Sequence, residues 1–180
     1  MNKRSQITTA QIISAALNVA AESGAGKVTL DAVAKASGLS KGGLLYHFPT
    51  KEALITAMVQ QLIDETEQCR LKRMQEDGNV LSAVIKAHAN FSEQVKGNTA
   101  MAILAAAAEQ PALLAPVQQA GQRVLKEVIA AFGDNPEALM LLVASESMIF
   151  QEVLNISPLN TEQKEALERY MIGRAQELIL

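Results

Sequence analysis

The sequence predicts an all-α protein of about nine helices, with a three-helix helix-turn-helix head at residues 1–51 and a helical bundle at 52–180. Three observations carry that prediction. Apolar residues recur at three- and four-residue spacing, and no stretch alternates as a half-buried strand does. Glycine, proline and asparagine punctuate these patterns and leave helices of about 11–21 residues between them. Finally, Thr29–Lys51, TLDAVAKASGLSKGGLLYHFPTK, spells out two short helices and the tight turn that joins them.

Met1–Gln6 is a polar tail with Lys3 and Arg4, either disordered or an arm that adds phosphate or minor-groove contact. Thr8, with Gln11 three residues on, has the pattern of a capping box and opens the first helix. Its apolar face is Ile12, Ile13, Ala16, Leu17 and Ala20, and the run Glu22-Ser-Gly-Ala-Gly ends it. Thr29 caps the second helix, where Leu30, Val33 and Ala34 recur at helical spacing and Gly38 supplies a left-handed terminus. Ser40 caps the third, a short helix from about Lys41 to His47 that Pro49 closes.

The second helix of a helix-turn-helix is the one that enters a DNA major groove. Here Leu44 and Phe48, i and i+4, turn together toward the core, leaving Lys41, Gly42, Gly43, Tyr46 and His47 to solvent. Each mid-helix glycine costs roughly 1 kcal/mol against alanine. Two in succession either mark a loop or allow the backbone close to a phosphate-lined groove. Lys41 places a full charge near a helix N-terminus, where backbone N–H groups already favour phosphate. Tyr46 and His47 can donate to phosphate oxygens, and Lys51 adds a charge at the start of the next helix.

Thr50 caps that long fourth helix, from about Lys51 to Glu76, with Leu54, Met58, Leu62 and Glu65 on successive turns. Later breaks fall near Asp77-Gly78, Gly97-Asn98, Gln110-Pro111, Gly133–Pro136 and Ser157-Pro158. Asn135 before Pro136 is a cap followed by a first-turn proline, and Asn160 with Gln163 signals another start. The helix from about Pro136 to Leu154 is apolar nearly all round, so it is buried all round, at an interface or as the central helix of a monomer.

The pattern T-L-D-A-V-A-K-A-S-G-L-S-K-G-G-L-L-Y-H-F-P-T-K-E-A-L resembles the DNA-binding segment of the TetR/AcrR family of bacterial transcriptional regulators. The resemblance covers about residues 8–58 and is most specific from Ser40 to Leu54. It implies that Lys41, Gly42, Tyr46, His47 and Lys51 contact DNA, mostly its backbone, and that Thr29 touches a phosphate; Ser40, Gly43 and Leu45 complete the candidate interface. Leu45 departs from the aromatic or polar residue of many members and, with Gly43, leaves few side chains to read base edges. The resemblance also implies homodimerisation through the last two helices, about Pro136–Leu154 and Thr161–Leu180. It further implies a small-molecule effector held by the middle helices, whose binding moves the long fourth helix and releases a pseudo-palindromic operator.

Composition agrees with this partition. Residues 1–51 hold six Lys/Arg against two Asp/Glu, a charge of +4, which leaves -7 for the rest of a chain whose total is -3. A basic head on an acidic body fits a module for nucleic acid joined to one for another partner, or arises by chance at such counts. Aromatic residues make up 3% and tryptophan is missing, so an aromatic cage gives way to a pliable aliphatic cavity. Its candidate polar anchors are His88, Glu109, Gln122 and Glu146, with Asn90, Gln110, Gln118 and Ser145 behind them; a solvated helix face suits each of them better, and His88, between Ala87 and Ala89, also reads as a satisfied core histidine. Cys69, the single cysteine, fits a reducing cytoplasm; it is either an inert thiol or one activated by Arg70 or Lys72. No transmembrane run, signal-peptide apolar region, metal-ligand spacing, cofactor motif or nucleophile motif is present, so the expectation is a cytoplasmic protein and no enzyme. The alternative to an effector-controlled repressor is a DNA-binding regulator controlled by a protein partner or without an effector.

Overall fold

The structure, a computed structural model, describes residues 3–24, 27–94 and 97–178, with side chains placed at 9–24, 27–91 and 98–178. Among these residues it is helical throughout and contains no strand. The helices are α1 (Lys3–Ser23), α2 (Leu30–Ser37), α3 (Lys41–His47), α4 (Lys51–Asp77), α5 (Val80–Gln94), α6 (Gly97–Glu109), α7 (Ala115–Phe132), α8 (Pro136–Val153) and α9 (Thr161–Glu177), with a 3-10 turn at Pro111–Leu114 between α6 and α7.

Most boundaries follow from the caps. The Asn135 side chain accepts from the backbone N–H of Glu137 at 2.8 Å and of Ala138 at 3.4 Å, opening α8. Asn160 and Gln163 cap α9 reciprocally, each side chain accepting from the other's backbone N–H, at 2.9 and 3.0 Å. Gly78 and Gly133, at φ +68° and +63°, terminate α4 and α7 in a conformation only glycine enters without strain. The start of α1 differs from the expectation. It begins at Lys3, so Thr8 lies inside the helix and does not cap it. No glycine or proline occurs between Lys3 and Ser23 to stop the helix, and tertiary context outranks a lone cap signal. Met1 and Asn2 of the expected tail lie outside the described residues, as do the side chains of Lys3 and Arg4.

The chain forms two compact units. The first comprises Met1–Leu62 and Lys96–Val117, so α6 and the 3-10 turn join the head in one unit. There α1 lies against α2 and α6, and the Asn98 amide donates to the carbonyl of Ala21 at 3.0 Å. Ile12, Val28, Val33, Leu44, Leu54 and Met58 are fully buried in it. The second unit comprises Ile63–Val95 and Gln118–Leu180, with α5 packed on α8 and α9. Its core is Val80, Leu81, Val84 and Ile85 of α5 against Val128, Ala138, Leu141, Leu142, Met171 and Ala175. No helix among the described residues is long and apolar enough to cross a membrane.

Candidate functional site

Local chemistry shapes the turn between α2 and α3. The Thr29 hydroxyl accepts from Ala32 N–H at 3.1 Å, satisfying one donor that the start of α2 leaves without a helical partner. Gly38, at φ +71°, then reverses the chain, donating to Lys35 O while Leu39 N–H reaches back to Ala34 O at 3.0 Å. Ser40 accepts from Gly43 N–H at 3.1 Å and starts α3. Two anchors set the rotation of α3. Leu44 is 0% and Phe48 6% exposed, so the opposite face must look outward.

That face carries Lys41, Gly42, Leu45 and Tyr46, all exposed, with Tyr46 at 83%. Gly43 and His47 flank it half-buried, and Thr29, Ser40 and Lys51 are exposed near its edges. A Cβ added to Gly42 would meet nothing within 4 Å, whereas one on Gly43 would sit 3.3 Å from the Ser40 hydroxyl. Gly43 therefore keeps the cap free of steric interference, and Gly42 offers bare backbone to whatever approaches. Two contacts join elements distant in sequence. His47 Nδ1 lies 3.1 Å from the Thr9 hydroxyl on α1, and Lys41 pairs with Asp31 at 2.9 Å across the turn. The latter pair is solvent-exposed and weak, so Lys41 is available to a phosphate. Sequence reasoning named neither Thr9 nor Asp31, because pairing at such separations leaves no periodic signal. Together the face offers an ammonium, a phenol, an imidazole and open helical backbone, a set suited to phosphate oxygens.

The polar candidates of the body do not converge. His88 lines a cavity of about 210 Å³ in the second unit, walled by Ile85, Met148, Ile149 and Met171, with Ser145 beside it. The Ser145 hydroxyl is 2.9 Å from His88 Nδ1, and burial pushes the imidazole pKa down to about 4. Glu152, Lys164, Glu165 and Glu168 also line it, with Lys164 paired to Glu152 at 2.5 Å and Glu165 to Arg169 at 3.6 Å. Glu109 and Gln110 instead line a cavity of about 160 Å³ in the first unit, together with Lys51 and Glu52. Gln118, Gln122 and Glu146 are exposed and line neither cavity, and Asn90 lines neither. Cys69 is half-buried, while its neighbour Arg70 is 4% exposed and committed elsewhere. Arg70 donates to Glu67 at 2.6 and 2.7 Å and to Glu127 of α7 at 2.7 and 3.2 Å, so two carboxylates already neutralise it. Among the described residues no cluster of three or more His, Cys, Asp or Glu could hold a metal ion.

Comparison with known proteins places these units. Residues 12–58 match the model for bacterial regulatory proteins of the tetR family, and residues 78–176 match that for a tetracyclin repressor-like C-terminal domain. The HTH-type transcriptional regulator RutR of Escherichia coli (strain K12) is 39% identical over 85 residues, which is 46% of this chain and 40% of RutR. CymR of Pseudomonas putida, also an HTH-type transcriptional regulator, is 29% identical over 124 residues, 67% of this chain and 61% of CymR. Among solved structures, the multidrug binding protein EbrR complexed with malachite green superposes with a TM-score of 0.69 at 18% identity, covering 96% of this chain and 98% of EbrR. A TetR family member from Streptomyces coelicolor A3 gives 0.69 at 20% identity, covering 99% of both chains. These two likenesses concern the fold; the family models match most of the chain, which belongs to the tetR family of bacterial regulatory proteins.

Proposed function

We propose that this protein is a cytoplasmic DNA-binding transcriptional repressor, a homodimer released from a pseudo-palindromic operator by a small aliphatic or lipophilic effector. Residues 1–51 carry DNA binding; residues 52–180 carry effector binding and dimerisation. The observation behind the reading is the outward face of α3, anchored by Leu44 and Phe48 and presenting Lys41, Gly42 and Tyr46. In this reading Lys41, Tyr46, His47 and Lys51 bind phosphates, Thr29 and Ser40 reach phosphates from the helix starts, and Gly42 and Gly43 admit the backbone. Leu45, 36% exposed, offers an apolar contact to a base edge such as a thymine methyl.

Dimerisation is supported by α8. Met140, Val143 and Phe150 lie on its outer side at 59, 62 and 54% exposure, at i, i+3 and i+10. A stripe of such size needs a partner surface. A two-fold dimer also serves the head, since half-sites about 34–36 Å apart address successive major grooves on one side of a duplex. Effector and operator need only favour different conformations by about 1–3 kcal/mol for useful control.

Selection of bound genomic fragments tests the proposal directly. The expected result is a pseudo-palindromic site whose half-sites are about one helical turn apart. Tyr46→Phe is expected to weaken that site by about 1 kcal/mol, the worth of one hydrogen bond, without altering the fold. Failure to recover any site, or binding that does not weaken with salt, would overturn the reading.

A further inference from the structure

On the outward side of α3, the His47 ring is held in place before any DNA arrives. Its Nδ1 lies 3.1 Å from the Thr9 hydroxyl on α1, a contact that reaches across 38 positions. The Tyr46 ring meets the imidazole edge to face, with centroids 5.3 Å apart and planes at 89°. Thr9 and His47 are both half-buried, which limits the water competing for their bond. α1 packs on α2 and α2 on α3, and the Thr9–His47 contact ties the outer two together directly.

Orientation matters because an imidazole is not symmetric. The χ2 torsion of histidine is broad and roughly two-fold, so a ring with no partner turns over readily. A half-turn exchanges Nδ1 with Cδ2 and Nε2 with Cε1, putting carbon where a hydrogen-bonding nitrogen was. Holding Nδ1 against α1 therefore fixes the far nitrogen too. Nε2 points away from α1, and nothing among the described residues hydrogen-bonds to it. To meet a phosphate oxygen Nε2 must carry a proton, since a lone pair and an anion repel. In the neutral ring that leaves Nδ1 bare and in need of a donor; in the imidazolium Nδ1 is protonated and needs an acceptor. A threonine hydroxyl, with one proton and two lone pairs, serves either state, whereas a carboxylate or an ammonium serves only one.

We propose that Thr9 is a positioning residue for operator binding, holding the His47 imidazole so that Nε2–H reaches a DNA phosphate. The inference rests on the DNA-binding reading and adds a residue of α1 to it. The probe is the duplex recovered by selection of bound genomic fragments, titrated with the full chain and followed by fluorescence anisotropy. Thr9→Val keeps the side-chain shape and removes the hydroxyl, and it is expected to lower affinity about fivefold, the worth of one hydrogen bond. Thr9→Ser keeps the hydroxyl and is expected to bind within about twofold of the wild-type protein. In a His47→Phe background Thr9→Val is expected to have no further effect, a pattern that general loosening of α1 does not produce. Imidazole 15N shifts of the wild-type complex are expected to show Nε2 protonated. Should Thr9→Val fail to fold, Thr9→Ala takes its place. Affinity unchanged by loss of the hydroxyl, an equal loss in Thr9→Ser, additive effects of Thr9→Val and His47→Phe, or a bare Nε2 in the complex overturns the proposal. The two levels fail differently. Recovery of no duplex by the wild-type protein sinks the DNA-binding reading, whereas a recovered duplex that Thr9→Val binds as tightly as wild type sinks only the role of Thr9.

Discussion

Gly42 is the position at which folding and DNA binding should respond in opposite directions. It lies in the first turn of α3, and a Cβ built there meets nothing within 4 Å. Gly42→Ala therefore adds no clash in the free protein and restricts the unfolded chain, a gain of about 0.5–1 kcal/mol. For a chain of this size 1 kcal/mol corresponds to about 2–4 °C, so the melting temperature should rise by about 1–4 °C. On the operator the same methyl occupies the gap between helix and phosphates, at a cost of about 1–3 kcal/mol by the usual scale of overpacking. Affinity should fall by roughly five- to 150-fold. Gly43→Ala is the control, because its Cβ sits 3.3 Å from the Ser40 hydroxyl that caps the helix. There the entropic gain and the disturbed cap are both about 1 kcal/mol, and stability should barely change. Calorimetry at one fixed protein concentration, together with fluorescence anisotropy on the selected operator, measures both quantities. A stabilised Gly42→Ala protein that binds as tightly as wild type would refute the close approach of the backbone. A destabilised one would refute the placement of Gly42 in a helix open to solvent.

Leu44→Ala, at a fully buried position, should cost about 2–5 kcal/mol in urea unfolding and weaken every DNA site by loosening α3; unchanged stability would mean that α3 is rotated differently. Lys51→Ala, at an exposed position, should leave thermal stability alone and reduce the slope of log affinity against log salt by about 0.9, read by anisotropy titrations at several salt concentrations. Arg70→Met should destabilise by about 1–3 kcal/mol at neutral pH, since Glu67 and Glu127 lose charge-assisted hydrogen bonds but remain partly hydrated. Hydrogen bonding to Arg70 holds the Glu67 carboxyl below its usual range, so this stability is present at neutral pH and lost as acidification protonates Glu67; the acid limb should flatten in the variant. For His88 the folded pKa of about 4 lies below the ordinary 6.5, so the unfolded chain binds the extra proton between these values. Stability should be complete above pH 6.5 and fall by up to about 3 kcal/mol toward pH 4, a decline that His88→Phe removes in pH-dependent urea titrations.

What could be read from the residue order is what depends on near neighbours. The caps Thr29, Ser40, Thr50, Asn135 and Asn160 act on backbone N–H groups two or three positions away, so composition over a few residues encodes them. The inward turn of Leu44 and Phe48 is likewise a matter of 3.6-residue periodicity. Thr8 misled because the cap pattern there is local too, while an uninterrupted run of helix-compatible residues continues through it. The apolar circumference of α8 pointed to burial on every side, yet Met140, Val143 and Phe150 remain exposed in the single chain. Periodicity reports how much apolar surface must be covered, not which molecule covers it.

Chemistry that depends on distant partners was not legible, and it has a common form. Thr9 meets His47 across 38 positions; Arg70 meets Glu127, and His88 meets Ser145, each across 57. In each case two side chains that look ordinary in sequence change one another's function only once helices are laid side by side. For His88 the consequence is largest. A lone histidine between alanines is read as a satisfied core residue, and Nδ1 is indeed satisfied. It takes the further bond from Ser145 to Leu142 to establish which nitrogen is spoken for. A three-member chain of hydrogen bonds, two of whose members lie on α8 and one on α5, thereby holds the imidazole in one orientation beside the cavity.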